Sequence, residues 1–152
     1  MSEIFRPAVR FVIINDKNQI LLVRHKTYWA IPWGGVDFWE SLADALCRES
    51  LEEMNVRAEL DEIIFIQDFL WDTPDMKSHA LEYFCSIKNN GDFKNVLEDC
   101  KQASHFFEYE EISWFDINNF PEEFMPLAFP ELVQDYVKNN QNFKTKYISW
   151  IK

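Results

Sequence analysis

Three glycines and six prolines are too few for a collagenous or low-complexity chain, and 47% hydrophobic residues are too many for a disordered one. The three cysteines, Cys47, Cys85 and Cys100, are odd in number and lack Cys-x-x-Cys spacing. That argues against a disulfide framework or a cysteine zinc site and fits reduced thiols in a cytoplasmic protein. Positive charge is also short: 15 Lys plus Arg against 26 Asp plus Glu leave a net −11 at pH 7. Such a surface disfavours a sequence-independent grip on nucleic acid or on anionic lipid, so neither is expected as a partner. A phosphate-bearing substrate would need a metal ion between itself and this protein. No apolar run approaches the roughly 18 residues of a membrane span. Residues 1–10 carry Glu3, Arg6 and Arg10 without the apolar stretch of a secretory signal. The sequence has no Gly-rich P-loop, no dinucleotide fingerprint and no serine elbow. Its histidines, His25, His79 and His105, are dispersed, so no catalytic triad or zinc site is visible.

What is present is a chain of 152 residues, long enough for one domain over 1–152 with a real core. Residues 8–14 are apolar and β-branched, residues 15–18 carry Asn and Asp turn chemistry, and residues 19–24 are apolar again, which predicts a β-hairpin. Residues 29–32 read as a short extended piece because Pro32 keeps Ile31 out of the helical region, and Gly34-Gly35 reads as the start of a loop. Further strands are expected over 63–70, 81–87 and 112–115. Residues 88–109 look irregular and 121–130 broken by proline, and Leu132, Val133, Tyr136 and Val137 predict a C-terminal helix. A mixed sheet with helices packed on it, α/β or α+β, follows.

The clearest local signal is a helix over 42–54. Ser41 and Asp44 supply a start, Leu42, Ala45 and Leu46 an apolar spacing, and Asn55 a stop, since Asn tolerates the left-handed conformation. Near its end stand Arg48-Glu49 and Glu52-Glu53. Glu49, Glu52 and Glu53 lie three and four residues apart and so project from one side. Like charges at these spacings cost roughly 0.2–0.5 kcal/mol per pair, and they sit where the helix dipole is already negative. A hard divalent cation with oxygen ligands would offset that.

Read outward, the spacing is Gly34, five residues, Glu40, seven residues, then Arg48-Glu49-Ser50-Leu51-Glu52-Glu53-Met54-Asn55-Val56. This resembles the Nudix box, Gly-x5-Glu-x7-Arg-Glu-U-x-Glu-Glu-x-Gly-U, where U is a bulky aliphatic residue. Six glycine and charged positions match, a coincidence on the order of one in a million per window, and Val56 fits the last aliphatic position. Ser50 and Asn55 depart from the pattern. Asn55 keeps the backbone option, while Ser50 is expected to leave a slightly under-filled contact beneath the helix.

The resemblance implies a Nudix-like α/β/α sandwich with a mixed β-sheet, and hydrolysis of a diphosphate linkage with Mg2+ or Mn2+. The substrate would be a nucleoside diphosphate linked to another moiety. Glu49 and Glu53 would be the first metal ligands and Glu52 the next, with a backbone carbonyl near Gly34 completing the set. Arg48 and Glu40 would stand behind the ligands, Arg48 pairing a box carboxylate and fixing its rotamer. Glu108, Glu110 and Glu111, just before Trp114, occupy the region where some relatives carry the general base; a solvated turn is the plainer reading of the same residues. Trp33, Trp39 and Trp71 lie near the expected pocket and could stack on a base, or simply pack. The alternative to an enzyme is a Nudix-like module that binds a nucleotide metabolite or a protein, which would not need the box carboxylates.

Overall fold

The computed structural model describes residues 2–106, 109–139 and 143–151, Trp150 and Ile151 by their backbone. The strands are β1 (Ser2–Val12), β2 (Gln19–His25), β3 (Tyr28–Ala30), β4 (Trp33–Gly35), β5 (Leu60–Asp72), β6 (Met76–Ile87), β7 (Glu111–Asp116) and β8 (Lys146–Ile151). The helices are α1 (Leu42–Met54), α2 (Val96–Asp99) and α3 (Phe129–Lys138). One sheet has the order β4-β1-β6-β5-β8 and the other β3-β2-β7. The larger sheet is mixed: β1 runs parallel to β6 and β5 to β8, while β1/β4 and β5/β6 are antiparallel. This is the expected α/β class with a mixed sheet.

Period-two alternation sorts the strand residues into two core clusters. Val9 and Phe11 of β1 join Ala45, Leu46 and Met54 of α1. Val12 turns to the opposite side, where Phe84 of β6 meets Phe129 and Val133 of α3. There the Phe84 and Phe129 rings stack at 5.1 Å. A register shift between Ile63 and Phe65 lets the adjacent Ile64 and Phe65 enter the same cluster, which strict alternation forbids. Each large apolar side chain so buried contributes roughly 1.5–3 kcal/mol.

Two expectations need correction, and a third holds only near its turn. Residues 8–14 and 19–24 do turn through Asn15 and Asn18, where Asn15 N–H donates to the Gln19 carbonyl at 2.9 Å. The pairing continues as a short hairpin, Ile14 opposite Ile20 and the Leu21 N–H donating to the Ile13 carbonyl at 3.0 Å; beyond it the strands separate, β1 pairing with β4 and β6 and β2 with β3 and β7. Gly34-Gly35 does not open a loop but forms β4 against β1, with Gly34 opposite Val9. The stretch 88–109 contains short helical turns, α2 among them, whose Phe93 and Val96 complete the cluster beneath α1.

Candidate active site

Helix α1 begins and ends as its residues dictate. Ser41 is the N-cap, its Oγ accepting the Asp44 N–H at 3.1 Å. Asn55 takes the left-handed conformation with φ 56° and donates its N–H to the Leu51 carbonyl. The buried stripe of this helix is Ala45, Leu46, Glu49, Ser50, Glu53 and Met54. Two carboxylates therefore lie on the inward face, Glu49 8% and Glu53 4% exposed, flanked by apolar neighbours. Glu52 is turned further out.

Arg48 organises the start of this cluster. Its Nε and Nη2 donate to the two oxygens of Glu40 at 2.7 and 2.9 Å, its Nη1 donates to Glu49 at 2.9 Å and to Glu52 at 3.4 Å, and Nη2 also reaches the Gly35 carbonyl at 3.0 Å. Asp37 adds a weaker contact at 3.5 Å. The hydrogen bonds from Arg48 hold the Glu40 carboxyl below its ordinary range, and the carboxylates raise Arg48 in turn. Glu40 also accepts the Asp37 N–H at 2.9 Å, which closes the loop between β4 and α1.

Gly34 has no Cβ for a direct reason: one placed there would lie 2.1 Å from Glu49 Cγ and 2.6 Å from Glu49 Cβ. The glutamate side chain thus packs on the β4 backbone. At Gly35 a Cβ would meet the Arg6 guanidinium at 1.9 Å, so an exposed cation stands over the same strand.

Glu53 accepts a hydrogen bond from the Tyr109 hydroxyl. The same oxygen lies 3.1 Å from the Trp33 carbonyl and accepts the Trp33 N–H at 3.3 Å. Burial is the largest cause of a strongly raised Tyr109 pKa, with Glu53 adding to it, so the phenol keeps its proton. At the end of α1 the Glu52 carbonyl is met by the His105 N–H at 2.7 Å, and His105 Nδ1 approaches Glu52 Oε2 at 3.4 Å. Neither Tyr109 nor His105 carried a spacing signal in the sequence; both reach α1 from a segment about fifty residues on.

Of the other expected residues, Glu110 and Glu111 line a cavity of about 210 Å³ together with Glu53 and Tyr109. Glu108 lies outside the described residues. Trp33 is held edge-on between His25 and Tyr109, at 5.3 and 5.5 Å, with the Arg10 guanidinium 4.6 Å above its ring. Trp71 lines a separate cavity of about 250 Å³ with Tyr28, Gln67, Phe69 and the partly buried Arg10–Glu82 pair, 2.7 Å apart. Trp39 packs against no core residue: it is 93% exposed with φ 68°, beside an equally exposed Phe38. Ser50, the departure from the aliphatic position, is used for hydrogen bonding. It is fully buried, its Oγ donating to the Cys47 carbonyl and accepting the Ala58 N–H, both at 2.9 Å, which anchors the chain as it leaves the helix.

Among the described residues no three acidic, histidine or cysteine side chains converge in ligand geometry. The donor set nevertheless fits a hard divalent cation in kind. It consists of carboxylate oxygens on one buried helix face, with the Trp33 carbonyl beside the glycine on which Glu49 packs.

A mixed α/β fold carrying a helix with inward-facing glutamates defines the class, and comparison with known proteins gives the family. The chain belongs to the NUDIX domain family, whose model matches residues 4–134. An RNA pyrophosphohydrolase of Novosphingobium aromaticivorans is 35% identical over 138 residues, which cover 80% of this chain and 84% of that protein. Another, of Ruthia magnifica subsp. Calyptogena magnifica, is 47% identical over 60 residues, 38% of this chain, and the match spans only 34% of that relative's length. A solved MutT NUDIX hydrolase from Burkholderia pseudomallei superposes with a TM-score of 0.63 at 21% identity, over 86% of this chain and 98% of that one. At that identity the likeness speaks for the fold.

Proposed function

We propose that the protein is a Nudix pyrophosphohydrolase that cleaves a diphosphate linkage with Mg2+ or Mn2+. The observation that carries this reading is the burial of Glu49 and Glu53 on the inner stripe of α1. A solvated glutamate face would leave them in water, and burying charge without a chemical purpose is costly. Glu49 and Glu53 would hold the ion, with Glu52 and the backbone carbonyl beside Gly34 as further oxygen donors. When bound, a divalent ion would neutralise phosphate oxygens and lower the pKa of an attacking water. Arg48 fixes the Glu49 rotamer from one side and is itself fixed by Glu40. Glu110 and Glu111 line a cavity with Glu53, and in this reading one of them would accept a proton from that water. A binding-only module has no use for such a buried acidic face.

The substrate is a nucleoside diphosphate linked to a second group. Its organic part would enter the cavity of about 250 Å³ beside Trp71, where Tyr28 and Phe69 offer aromatic faces. The names of the Novosphingobium and Ruthia relatives, both RNA pyrophosphohydrolases, favour a second class, a pyrophosphate linkage carried on RNA, although a net charge of −11 opposes a long polyanion. A hydrolysis panel with Mg2+ and with Mn2+ separates them: nucleoside triphosphates, sugar nucleotides, ADP-ribose, dinucleoside polyphosphates and a 5′-triphosphorylated oligoribonucleotide. Turnover of no member of the panel would sink the enzymatic reading, and turnover unaffected by excess EDTA would sink the metal.

A further inference from the structure

Tyr109 stands where two oxygens face each other. Its hydroxyl donates to the Glu53 carboxylate of α1 and lies 3.1 Å from the Trp33 carbonyl of β4. A phenol has one hydrogen, and of two acceptors a charged carboxylate makes the stronger bond. The hydroxyl thus satisfies Glu53 with a neutral donor, between the same two oxygens that the proposed site offers to a cation. It also ties α1 and β4 to the segment that enters β7, where the Glu110 N–H donates to the Arg24 carbonyl at 3.1 Å. The cavity of about 210 Å³ that Tyr109 lines together with Glu53 gives the ring room to withdraw.

We infer that the Tyr109 hydroxyl competes with an incoming divalent cation for Glu53, so that metal binding releases Tyr109 and the segment that carries Glu110 into β7 from α1. This rests on the metal-site reading above. It makes Tyr109 a latch on the metal-free protein and couples occupancy of the helix carboxylates to the freedom of Glu110, which lines the same cavity as Glu53.

The test uses the full chain, with Mg2+ as the probe. Tyr109→Phe keeps the ring and removes the hydroxyl, so the metal-free protein loses a hydrogen bond that the loaded protein does not have. Calorimetric titration should give an Mg2+ Kd about three- to tenfold tighter than wild type, the size of one ordinary hydrogen bond. Melting without metal should fall by about 2–4 °C and melting with saturating Mg2+ by less. Tyr147→Phe, which removes a hydroxyl bonded to Asp68, should leave the Mg2+ response unchanged. An unaltered or weaker Kd for Tyr109→Phe, or equal loss of melting temperature with and without metal, overturns the inference. A variant that folds only with Mg2+ supports it in extreme form; one that folds in neither condition makes Tyr109 merely structural. The wild-type protein supplies an independent reading. Tyr109-Glu110 is the one Tyr–Glu step in the sequence, so 13C-carbonyl tyrosine with 15N-glutamate labels a single amide. Solvent exchange of that amide should quicken as Mg2+ binds, and an unchanged rate overturns the release of the segment. Wild-type protein that binds neither Mg2+ nor Mn2+ sinks the metal site itself, and the latch with it.

Discussion

Arg48 grips both carboxylate oxygens of Glu40, at 2.7 and 2.9 Å, across eight residues of chain. Glu40 sits just before the N-cap of α1 and Arg48 in its second turn, so the pair folds the entering loop back along the helix. The same guanidinium then reaches Glu49 and Glu52 on one side and the Gly35 carbonyl on the other. One side chain thereby joins β4, the loop and the carboxylate face.

Replacing Arg48 with Ala should therefore lower stability as well as rate. Four carboxylates, Asp37, Glu40, Glu49 and Glu52, lose their shared cation, but the arginine is about a third exposed, so solvent screens part of the loss. An expected cost of about 2 kcal/mol corresponds to a fall of roughly 4–8 °C in melting temperature for a chain of this size. Lysine at the same position cannot reproduce the fork and should recover little. An unchanged Tm and an unchanged rate would reduce Arg48 to a surface charge.

The pH dependence follows from the sign of the Glu40 shift. Its folded-state pKa lies below the unfolded value, with the Arg48 hydrogen bond as the main cause. The contribution is fully present above about pH 4.5 and is lost as pH falls through the depressed folded value; nothing from this group appears on the alkaline side. Chemical denaturation between about pH 5 and 3 should show wild-type stability falling more steeply than that of Arg48→Ala, in which the main cause of the shift is gone and only the Asp37 N–H remains. Parallel acid limbs in the two proteins would mean that the Glu40–Arg48 pair is not linked to folding.

The parts of this molecule that were legible in the sequence are those whose cause is local. Ser41, Asp44 and Asn55 set the bounds of α1 through their own hydrogen bonds and torsions, and the structure returns the same helix, Leu42–Met54. The turn at Asn15–Asn18 was legible for the same reason, but the partners of the two strands it joins were not. Parallel pairing of β1 with β6 depends on residues more than seventy positions away. Gly34 was visible as a motif residue; that it yields space to Glu49 is a tertiary fact. Tyr109 was invisible because nothing in a Tyr between two Glu says that the ring turns inward to a helix carboxylate. Trp39 misled in the opposite way, since its type suggests packing and its loop leaves it in water.

Gly34→Ala should damage the site by steric means alone. The new methyl would overlap the Glu49 stem near its backbone, at Cγ and Cβ, where no rotamer change relieves it. Overpacking of this kind costs about 1–3 kcal/mol, and displacement of Glu49 should remove most turnover. Gly91 is the control, because a Cβ there meets nothing within 4 Å. Gly91→Ala should leave both Tm and activity close to wild type. Equal behaviour of the two variants in melting and turnover assays would show that the Gly34–Glu49 contact is dispensable.

Glu53→Gln separates chemistry from folding. The amide keeps the shape of the side chain, and its carbonyl oxygen can still accept from the Tyr109 hydroxyl, so the local packing survives. Loss of the charge relieves repulsion from Glu49 and Glu52 in the metal-free protein, which should leave apo stability unchanged or slightly raised. The same loss weakens an oxygen donor set built for a divalent ion and withdraws charge stabilisation from the transition state. A decrease of about 100- to 1,000-fold in kcat/KM, or roughly 3–4 kcal/mol, is the size expected for one such group. Turnover measured across an Mg2+ titration, beside apo melting, distinguishes the outcomes. A metal ligand gives reduced rate with a raised metal requirement and intact Tm. A carboxylate buried for structure alone would lower Tm and leave the Mg2+ dependence where it was, and that result would remove Glu53 from the ligand set.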